Sequence, residues 1–208
     1  IRQYLGVVVQ RIVYELRGIS CLDLDKILPK KNVMCSRSFG NPVNSKATIK
    51  DFITEYSIRA AEKVRQQNSR AQGIYIFLRT NRFKKEKQYN SGIMIGLNFP
   101  CCDTSVIIKL ASKAIDQIYQ PGYSYHKAGI MMLDLIPSDI HQKDLFQNTT
   151  YSLSDERMKV IDSLNKRFGS GIIAHGKVRP KDKNKWKSRS FYLSPRYTTQ
   201  WDELPHAN

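Results

Sequence analysis

Hydrophobic positions recur along this chain at two different spacings, and the spacings predict its secondary structure. Apolar residues return every three or four positions in three long segments, which predicts amphipathic helices at 5–16 and 48–67 and a third whose apolar stripe runs from Ile107 to Ile118 and which Pro121-Gly122 stops. Short β-rich runs lie around the second and third of these helices. They predict strands at 33–39, 73–80, 93–97 and 123–135. From residue 33 onwards the predicted order is therefore β-α-β-β-α-β.

This order predicts an α+β fold of the split-βαβ type, a four-stranded sheet with two helices on one face. The other face of such a sheet is left open and is a common place for nucleic acid to bind. A polar joint follows, then a further helix at 154–168 and a tail that mixes basic and aromatic residues, which we interpret as a small C-terminal α/β extension. The predicted divisions are 1–30, 31–136, 137–153 and 154–208.

Residues at the predicted helix ends favour specific caps. Gly18 follows the first helix where a C-terminal cap belongs. Thr48 with Asp51 suggests a capping box for the second helix, and Asp103 or Thr104 can cap the third. In the last helix, Ser154 is the expected N-cap, with Leu153 packing against Met158.

Charge adds a candidate partner to this picture. The chain has 34 Lys and Arg against 18 Asp and Glu, a net charge of +16. Residues 30–135 carry +10 and residues 154–208 carry +6, while residues 136–153 between them are nearly neutral. Two basic blocks favour a polyanion partner, nucleic acid above all. The alternative is a basic surface that has no dedicated partner.

Several classes of protein are not favoured by the sequence. No run of eighteen apolar residues is present, so no transmembrane helix is predicted. Cys21, Cys35, Cys101 and Cys102 lack the C-x-x-C spacing of a metal site or redox motif, which favours a reduced, cytoplasmic setting. The chain begins at Ile1 without a signal-peptide pattern, so we expect it to be part of a longer protein.

No catalytic group of residues is visible. The carboxylates are scattered and form no close set that could hold two metal ions for nucleotidyl transfer. The four histidines, at positions 126, 141, 175 and 206, have no Cys or His neighbours at ligand spacing. We therefore expect neither a catalytic residue nor a bound cofactor in this part of the protein.

The ends of the predicted strands carry small and basic residues of the kind that contact phosphates: Ser36-Arg37-Ser38, Arg79-Thr80 and Lys127. RNA-recognition motifs share the split-βαβ order but read bases with aromatic residues on the third strand. Here that strand is SGIMIGLN, without an aromatic residue. An RNA-recognition-like module that uses Tyr75 or Phe77 stays open as an alternative, as does a protein-interaction scaffold.

Six segments together resemble the Y-family translesion DNA polymerases of the UmuC type, over essentially the whole chain and in the same order. They are VVVQRIVYELRG, Cys21-Leu22, CSRSFG, RAAEKVR, YHKAGIM and LSPRYTT. The resemblance implies that residues 1–30 end the thumb and 31–136 form the little finger, which grips duplex primer-template DNA. It further implies that 137–153 are a linker and 154–208 the UmuC-type extension. The catalytic palm and its Mg²⁺ would lie upstream of Ile1.

The resemblance also implies site residues and partners. We assign DNA binding to Ser36, Arg37, Ser38, Arg79, Thr80, Arg82 and Lys127. The segment QKDLF resembles the Q-L-[S/D]-L-F peptide that binds the sliding clamp, through Gln142, Asp144, Leu145 and Phe146. Lys143 departs from the preferred Leu, and packing of Leu145 and Phe146 onto the protein is the alternative.

By the same resemblance, the processed UmuD dimer and the recombinase filament are the expected partners of the extension. The expected function is that of a non-catalytic DNA-binding and clamp-docking region of an error-prone polymerase that acts in SOS mutagenesis and damage tolerance. The full-length protein is expected to be a DNA-directed DNA polymerase.

Overall fold

The computed structural model describes residues 2–21, 29–139, 150–169, 171–173, 175 and 193–204. It contains four α-helices among these residues: α1 (Arg2–Leu16), α2 (Lys46–Gln66), α3 (Thr104–Ile118) and α4 (Thr150–Phe168). A short 3₁₀ turn, Trp201–Glu203, lies in the tail. None of the helices in the described ranges has the length and apolar character needed to span a membrane.

The strands are β1 (Val33–Val43), β2 (Ser69–Thr80), β3 (Asn90–Cys101), β4 (Tyr125–Leu133) and β5 (Ile136–Pro137). The first four form an antiparallel sheet in the order β1-β4-β2-β3, and the two-residue β5 pairs with the start of β2. Helices α2 and α3 pack against one face of this sheet and against each other. The predicted α+β class is confirmed.

The core lies between the two helices and the sheet. Alternate residues of the strands point toward the helices because side chains in a strand alternate between its two faces. The largest fully buried members come from both layers: Ile49 and Ile53 of α2, Ile107 and Ile115 of α3, and Ile74, Ile76, Leu78, Ile130 and Met132 of the sheet.

The N-terminus of α2 differs from the sequence prediction. Ser45 is the N-cap, with extended backbone, and its hydroxyl accepts a 3.4 Å hydrogen bond from the Thr48 amide. Thr48 lies within the first turn, so the capping box predicted for Thr48 with Asp51 is wrong. A residue with extended backbone just before the first helical residue can direct its side chain to the free amides of the first turn. Ser45 is in that position, whereas Thr48 lies inside the helix.

Two other predicted caps are confirmed. Gly18 follows α1 with φ of 80°, and the next amide, of Ile19, bonds to the Tyr14 carbonyl at 2.9 Å. This is a Schellman arrangement, in which a left-handed residue ends the helix. Asp103 caps α3 by accepting hydrogen bonds from the Ser105 and Val106 amides at 2.6 and 3.3 Å.

Helix α4 begins at Thr150, so the prediction of Ser154 as its N-cap is wrong. Ser154 lies inside the helix, and its hydroxyl donates to the Asp103 carboxylate instead. Met158, one turn further on, is 1% exposed. Leu153, its expected packing partner, has a side chain outside the described structure.

Ion pairs hold α4 against the end of α2 and the start of β2. Arg65 donates to both carboxylate oxygens of Asp162, at 2.6 and 2.8 Å, and to the Cys102 carbonyl at 2.8 Å. Arg70 pairs with Asp155 of the same helix. The arginine side chains are only 10% and 13% exposed, so Asp162 and Asp155 of α4 supply counter-charges for two cations that are largely removed from water.

A third group of contacts surrounds Asp103. Burial alone would raise the pKa of this carboxyl, but hydrogen bonds from Ser154 and two backbone amides outweigh it, with a further contribution from Arg157. The pKa therefore lies below its ordinary value. His175 lies nearby, and burial lowers its pKa despite the opposing charge of Asp103.

Candidate nucleic-acid interface

The sheet face on which none of the described helices packs, which we call the open face, is built from residues paired in rows across the four strands. In an antiparallel sheet, directly opposed residues project from the same face. One row near the end of the sheet joins Ser38 of β1, Lys127 of β4, Arg79 of β2 and Asn90 of β3. We call it the cationic row.

The next row inward joins Ser36, Gly129, Phe77 and Gly92. Here the two glycines make room for aromatic rings. A Cβ atom on Gly129 would lie 2.6 Å from the Phe77 ring, and one on Gly92 would lie 2.3 Å from the Tyr75 hydroxyl. Phe77 is consequently only 4% exposed although none of the described helices covers it.

A third row joins Met34, Met131, Tyr75 and Met94. The Tyr75 and Phe77 rings stack with centroids 5.9 Å apart, so the apolar residues of the open face are continuous along β2. This accounts for a strand that is apolar on both faces: isoleucine and leucine face the helices, and the two aromatic residues fill hollows above glycine.

Arg79 is oriented by the ring beside it. Its guanidinium lies 4.8 Å from the centroid of Phe77, in cation–π contact. Within the described ranges, neither Arg79 nor Lys127 forms an ion pair with a carboxylate. Two adjacent strands therefore present uncompensated positive charge at the same level of the open face.

The structure brings four of the predicted site residues together on this face and places Arg37 on the other. Arg37 pairs with Ala128, which is completely buried beneath the helices. Its charge acts on Tyr56 of α2, whose pKa is raised to about 12, first by burial and then by Glu55, while Arg37 and Arg59 oppose the shift.

The two remaining predicted residues lie in or beside the turn between β2 and β3. The Thr80 hydroxyl donates to the Gln88 side chain and accepts from the Tyr89 amide, both at 2.9 Å. Thr80 thus holds the base of this hairpin together. Arg82 lies in the turn itself, close to the ring of Phe83.

Sequence reasoning missed Asn90, which completes the cationic row. The sequence carries this signal only indirectly, since finding it requires knowing that Arg79 pairs with Asn90 across the nine-residue connection between β2 and β3. The predicted clamp-binding residues, Gln142, Asp144, Leu145 and Phe146, lie outside the described residues. In the described part of the chain, no three potential metal-ligating side chains of His, Cys, Asp or Glu lie together.

Comparison with known proteins places these features in a family. A model of the impB/mucB/samB family C-terminal domain matches residues 30–145, and one of a domain of unknown function (DUF4113) matches 157–207. Protein UmuC of Salmonella typhimurium strain LT2 is 35% identical over 207 residues, which cover 98% of this chain and 49% of that protein. Protein ImpB of Salmonella typhimurium and protein MucB of Escherichia coli are each 34% identical over 210 residues, covering all of this chain and 49% of theirs.

The chain spans about half the length of the curated relatives that it matches. The match runs through the sheet with its open face and continues into α4. It confirms the likeness predicted from the six sequence segments. This chain belongs to the impB/mucB/samB family, and its residues 30–145 correspond to the C-terminal domain of that family.

Proposed function

We propose that this chain is a non-catalytic DNA-gripping region of an error-prone translesion DNA polymerase. The observation that carries the proposal is the cationic row, in which Lys127 and Arg79 lie on neighbouring strands of a face that no described helix covers. Cations on a rigid sheet suit the regularly spaced phosphates of a duplex.

The open face offers little with which to read a base sequence. In the next two rows the exposed residues are Met34, Gly92 and Met94, whose side chains supply no directional hydrogen bonds to base edges, and the hydroxyls of Ser36 and Tyr75 are only partly exposed. Phe77 is too buried to stack on a base. Binding is therefore expected to depend on phosphate and to be indifferent to sequence, as a polymerase that meets every template sequence requires.

Salt dependence tests the proposal. The affinity of the chain for a blunt DNA duplex, measured by fluorescence anisotropy, should fall linearly with salt on a double-logarithmic plot. Arg79→Gln and Lys127→Gln should each weaken binding and reduce the slope by about 1, the value for one lost phosphate contact.

Arg37→Gln is the matched control, since it removes the same charge from the opposite face of the same sheet and should change the slope much less. Equal effects of Arg37→Gln and Arg79→Gln would contradict the assignment of the open face. A protein-interaction scaffold would show no duplex binding at moderate salt. An RNA-recognition-like module would prefer single-stranded RNA and would lose that binding on substitution of Tyr75.

Sliding-clamp docking is the second part of the proposal and depends on the sequence Gln142–Phe146. Leu145 and Phe146 would fill an apolar pocket on the clamp, and the Gln142 amide would make directional hydrogen bonds. Leu145→Ala combined with Phe146→Ala should abolish binding to a bacterial sliding clamp in surface plasmon resonance, with an unchanged thermal midpoint. Lys143→Leu should instead strengthen binding. A large fall in the midpoint would mean that the two side chains belong to the protein's own core.

For the whole protein, we propose DNA-directed DNA polymerase activity in SOS mutagenesis, in the cytoplasm, with catalytic carboxylates and Mg²⁺ in the half of the relatives that this chain does not span. The processed UmuD dimer and the recombinase filament are proposed partners of the C-terminal extension. Pull-down with the chain truncated after residue 153 tests these two partners, because both should be lost if the extension binds them.

A further inference from the structure

The turn between β2 and β3 presents an exposed aromatic ring among cations. Phe83 is 84% exposed, and the Arg82 guanidinium lies 5.1 Å from its ring centroid. Lys84 and Lys85 follow directly in the sequence, and both are exposed. An exposed phenylalanine at a hairpin tip lowers solubility and adds nothing to the core. A role in binding would account for its presence there.

Hydrogen bonds fix the shape of this turn. The Phe83 amide donates to the Asn81 side-chain oxygen at 3.0 Å, which is an Asx turn. The Gln88 side-chain amide donates to the carbonyls of Asn81, Lys84 and Glu86, at 3.1, 2.8 and 3.1 Å. Because the backbone is already ordered, the turn loses little conformational entropy when a ligand contacts the ring.

The turn also continues the proposed interface. It leaves β2 just after Arg79 and enters β3 at Asn90, the two adjacent members of the cationic row. A nucleic acid whose phosphates lie along that row would reach the turn at its end. Arg82 and Lys85 have no carboxylate partner among the described residues, whereas Lys84 pairs with Glu86 at 3.5 Å.

We propose that Phe83 is a stacking site for an unpaired base of single-stranded DNA that adjoins the duplex held on the cationic row. An exposed ring beside an arginine is the combination that binds single strands, since every base has a face on which a ring can stack. The turn would thus make the chain recognise a junction between duplex and single strand. This inference rests on the proposed function, because the duplex positions the unpaired base.

The experiment compares two DNA ligands of equal duplex length, one blunt and one with a single-stranded template overhang that carries 2-aminopurine. Phe83→Ala should lose about fivefold or more in affinity for the overhang ligand, the range found for one stacked base. Its affinity for the blunt ligand should be unchanged. Phe83→Tyr should retain the overhang preference and the 2-aminopurine fluorescence change, and Phe83→Leu should lose both.

Phe168→Ala is the matched control. Phe168 is 57% exposed and has the Arg167 guanidinium 5.2 Å from its ring, so it repeats the same pair of side chains on α4. Its replacement should leave the affinity for both ligands unchanged. Equal losses from Phe83→Ala and Phe168→Ala would mean that any exposed ring on this basic protein contributes, and would overturn the assignment.

Three other results would also overturn the assignment of Phe83 as a stacking site. Equal loss on the blunt and overhang ligands would assign Phe83 to the duplex, and no loss on either would assign the turn to another partner, such as an acidic protein surface. Loss of the overhang preference on Phe83→Tyr would exclude stacking. If the wild-type chain binds the overhang ligand through Phe83 but not the blunt duplex, the stacking site stands and the proposed duplex grip fails.

Discussion

Two glycines decide what the open face can do. Because Gly129 and Gly92 have no side chains, Phe77 and Tyr75 lie low against the sheet instead of projecting from it. A ring in that position cannot stack on a base, but it can support the guanidinium of Arg79. The same residue type therefore serves different purposes at Phe77, which is buried, and at Phe83, which is exposed.

Replacement of Gly129 tests this packing. In Gly129→Ala the new methyl group would lie 2.5 Å from the Ser36 Cβ and 2.6 Å from the Phe77 ring, and strand pairing restricts the movement of both neighbours. We expect the free energy of unfolding in urea to fall by about 1–3 kcal/mol, as for other overpacked sites. Gly96→Ala is the control, since nothing lies within 4 Å of its Cβ. Equal stability of the two variants would contradict the tight packing above Gly129.

Thiol reactivity gives a second residue-level prediction. Burial is the main cause that raises the pKa of Cys101 to about 11 and that of Cys102 to about 12. The reactive thiolate is therefore scarce at pH 8, whereas Cys21 is partly exposed. Iodoacetamide followed by mass spectrometry should modify Cys21 first and leave the adjacent pair intact until the protein is denatured. Early labelling of Cys102 would show that α4 does not cover it.

At the scale of elements, the sequence predicted the type and order of the helices and strands more accurately than the residues at which they begin and end. The predicted apolar stripe of α3 ends at Ile118, where the helix ends, although Pro121-Gly122 was the predicted stop signal; β3 was predicted at 93–97 and runs Asn90–Cys101. The added residues at its start, Asn90, Ser91 and Gly92, lack apolar side chains, and pairing with β2 holds them in the strand. Similarly, the start of α4 was missed because the hydroxyl of Ser154 bonds to Asp103, the N-cap of α3, which is distant in sequence.

The candidate site was predictable only in part, because contacts between residues that are distant in sequence also determine how the site is assembled. Arg79 and Lys127 were found as strand-end cations, but the sequence does not state that they are opposed in one row. Arg37 was included with Ser36 and Ser38, although a step of one residue reverses the face on which a strand residue lies. The face on which a residue lies and the register of its strand follow from how the strands pair. The intrinsic preference of residues for strand structure does not determine that pairing.

Docking of α4 yields a prediction at this scale. Asp162→Asn would leave the Arg65 guanidinium, 10% exposed, without its counter-charge, and an unpaired buried charge is strongly unfavourable. Backbone amides of α4 should then exchange with deuterium at least tenfold faster, while those of β2 and β4 keep their protection. Glu156→Gln is the control, since Glu156 is exposed on the same helix and has no ion pair with another described residue. Equal exchange in the two variants would mean that the pair does not hold the helix.

For the whole molecule, the net charge of +16 overstates the surface available to a polyanion. Arg65 and Arg70 belong to the basic central block, yet both are neutralised by carboxylates of α4. Their engagement removes positive charge from the corner where α3 begins and leaves it on the open face and on the β2–β3 turn. Docking of α4 thus lowers the positive charge available at that corner and leaves Arg79 and Lys127 of the cationic row unaffected.

Acid should separate these two parts of the molecule before the sheet unfolds. The pKa of His175 is lowered by burial, so the docked state resists protonation and loses stability as pH falls below the ordinary value of about 6.5. The pKa of Asp103 is also lowered, so its contribution is complete above about pH 4 and is lost as pH falls through its folded-state value. Both groups therefore favour undocking on acidification. The methyl resonance of Met158, a residue of α4 that is 1% exposed, reports this change by NMR.

The Asp103→Asn variant tests whether Asp103 and His175 are responsible for the undocking of α4 by acid. Since the Asp103 carboxylate raises the pKa of His175 against the effect of burial, its removal should lower the histidine pKa further in an NMR titration of the docked state. It should also remove the acid-dependent step near pH 4, because the amide does not titrate. Lys159→Gln, a charge change on the exposed side of α4, should leave the His175 titration nearly unchanged. An unchanged pKa of His175 in Asp103→Asn would show that the two side chains do not interact, and that acid undocking has another cause.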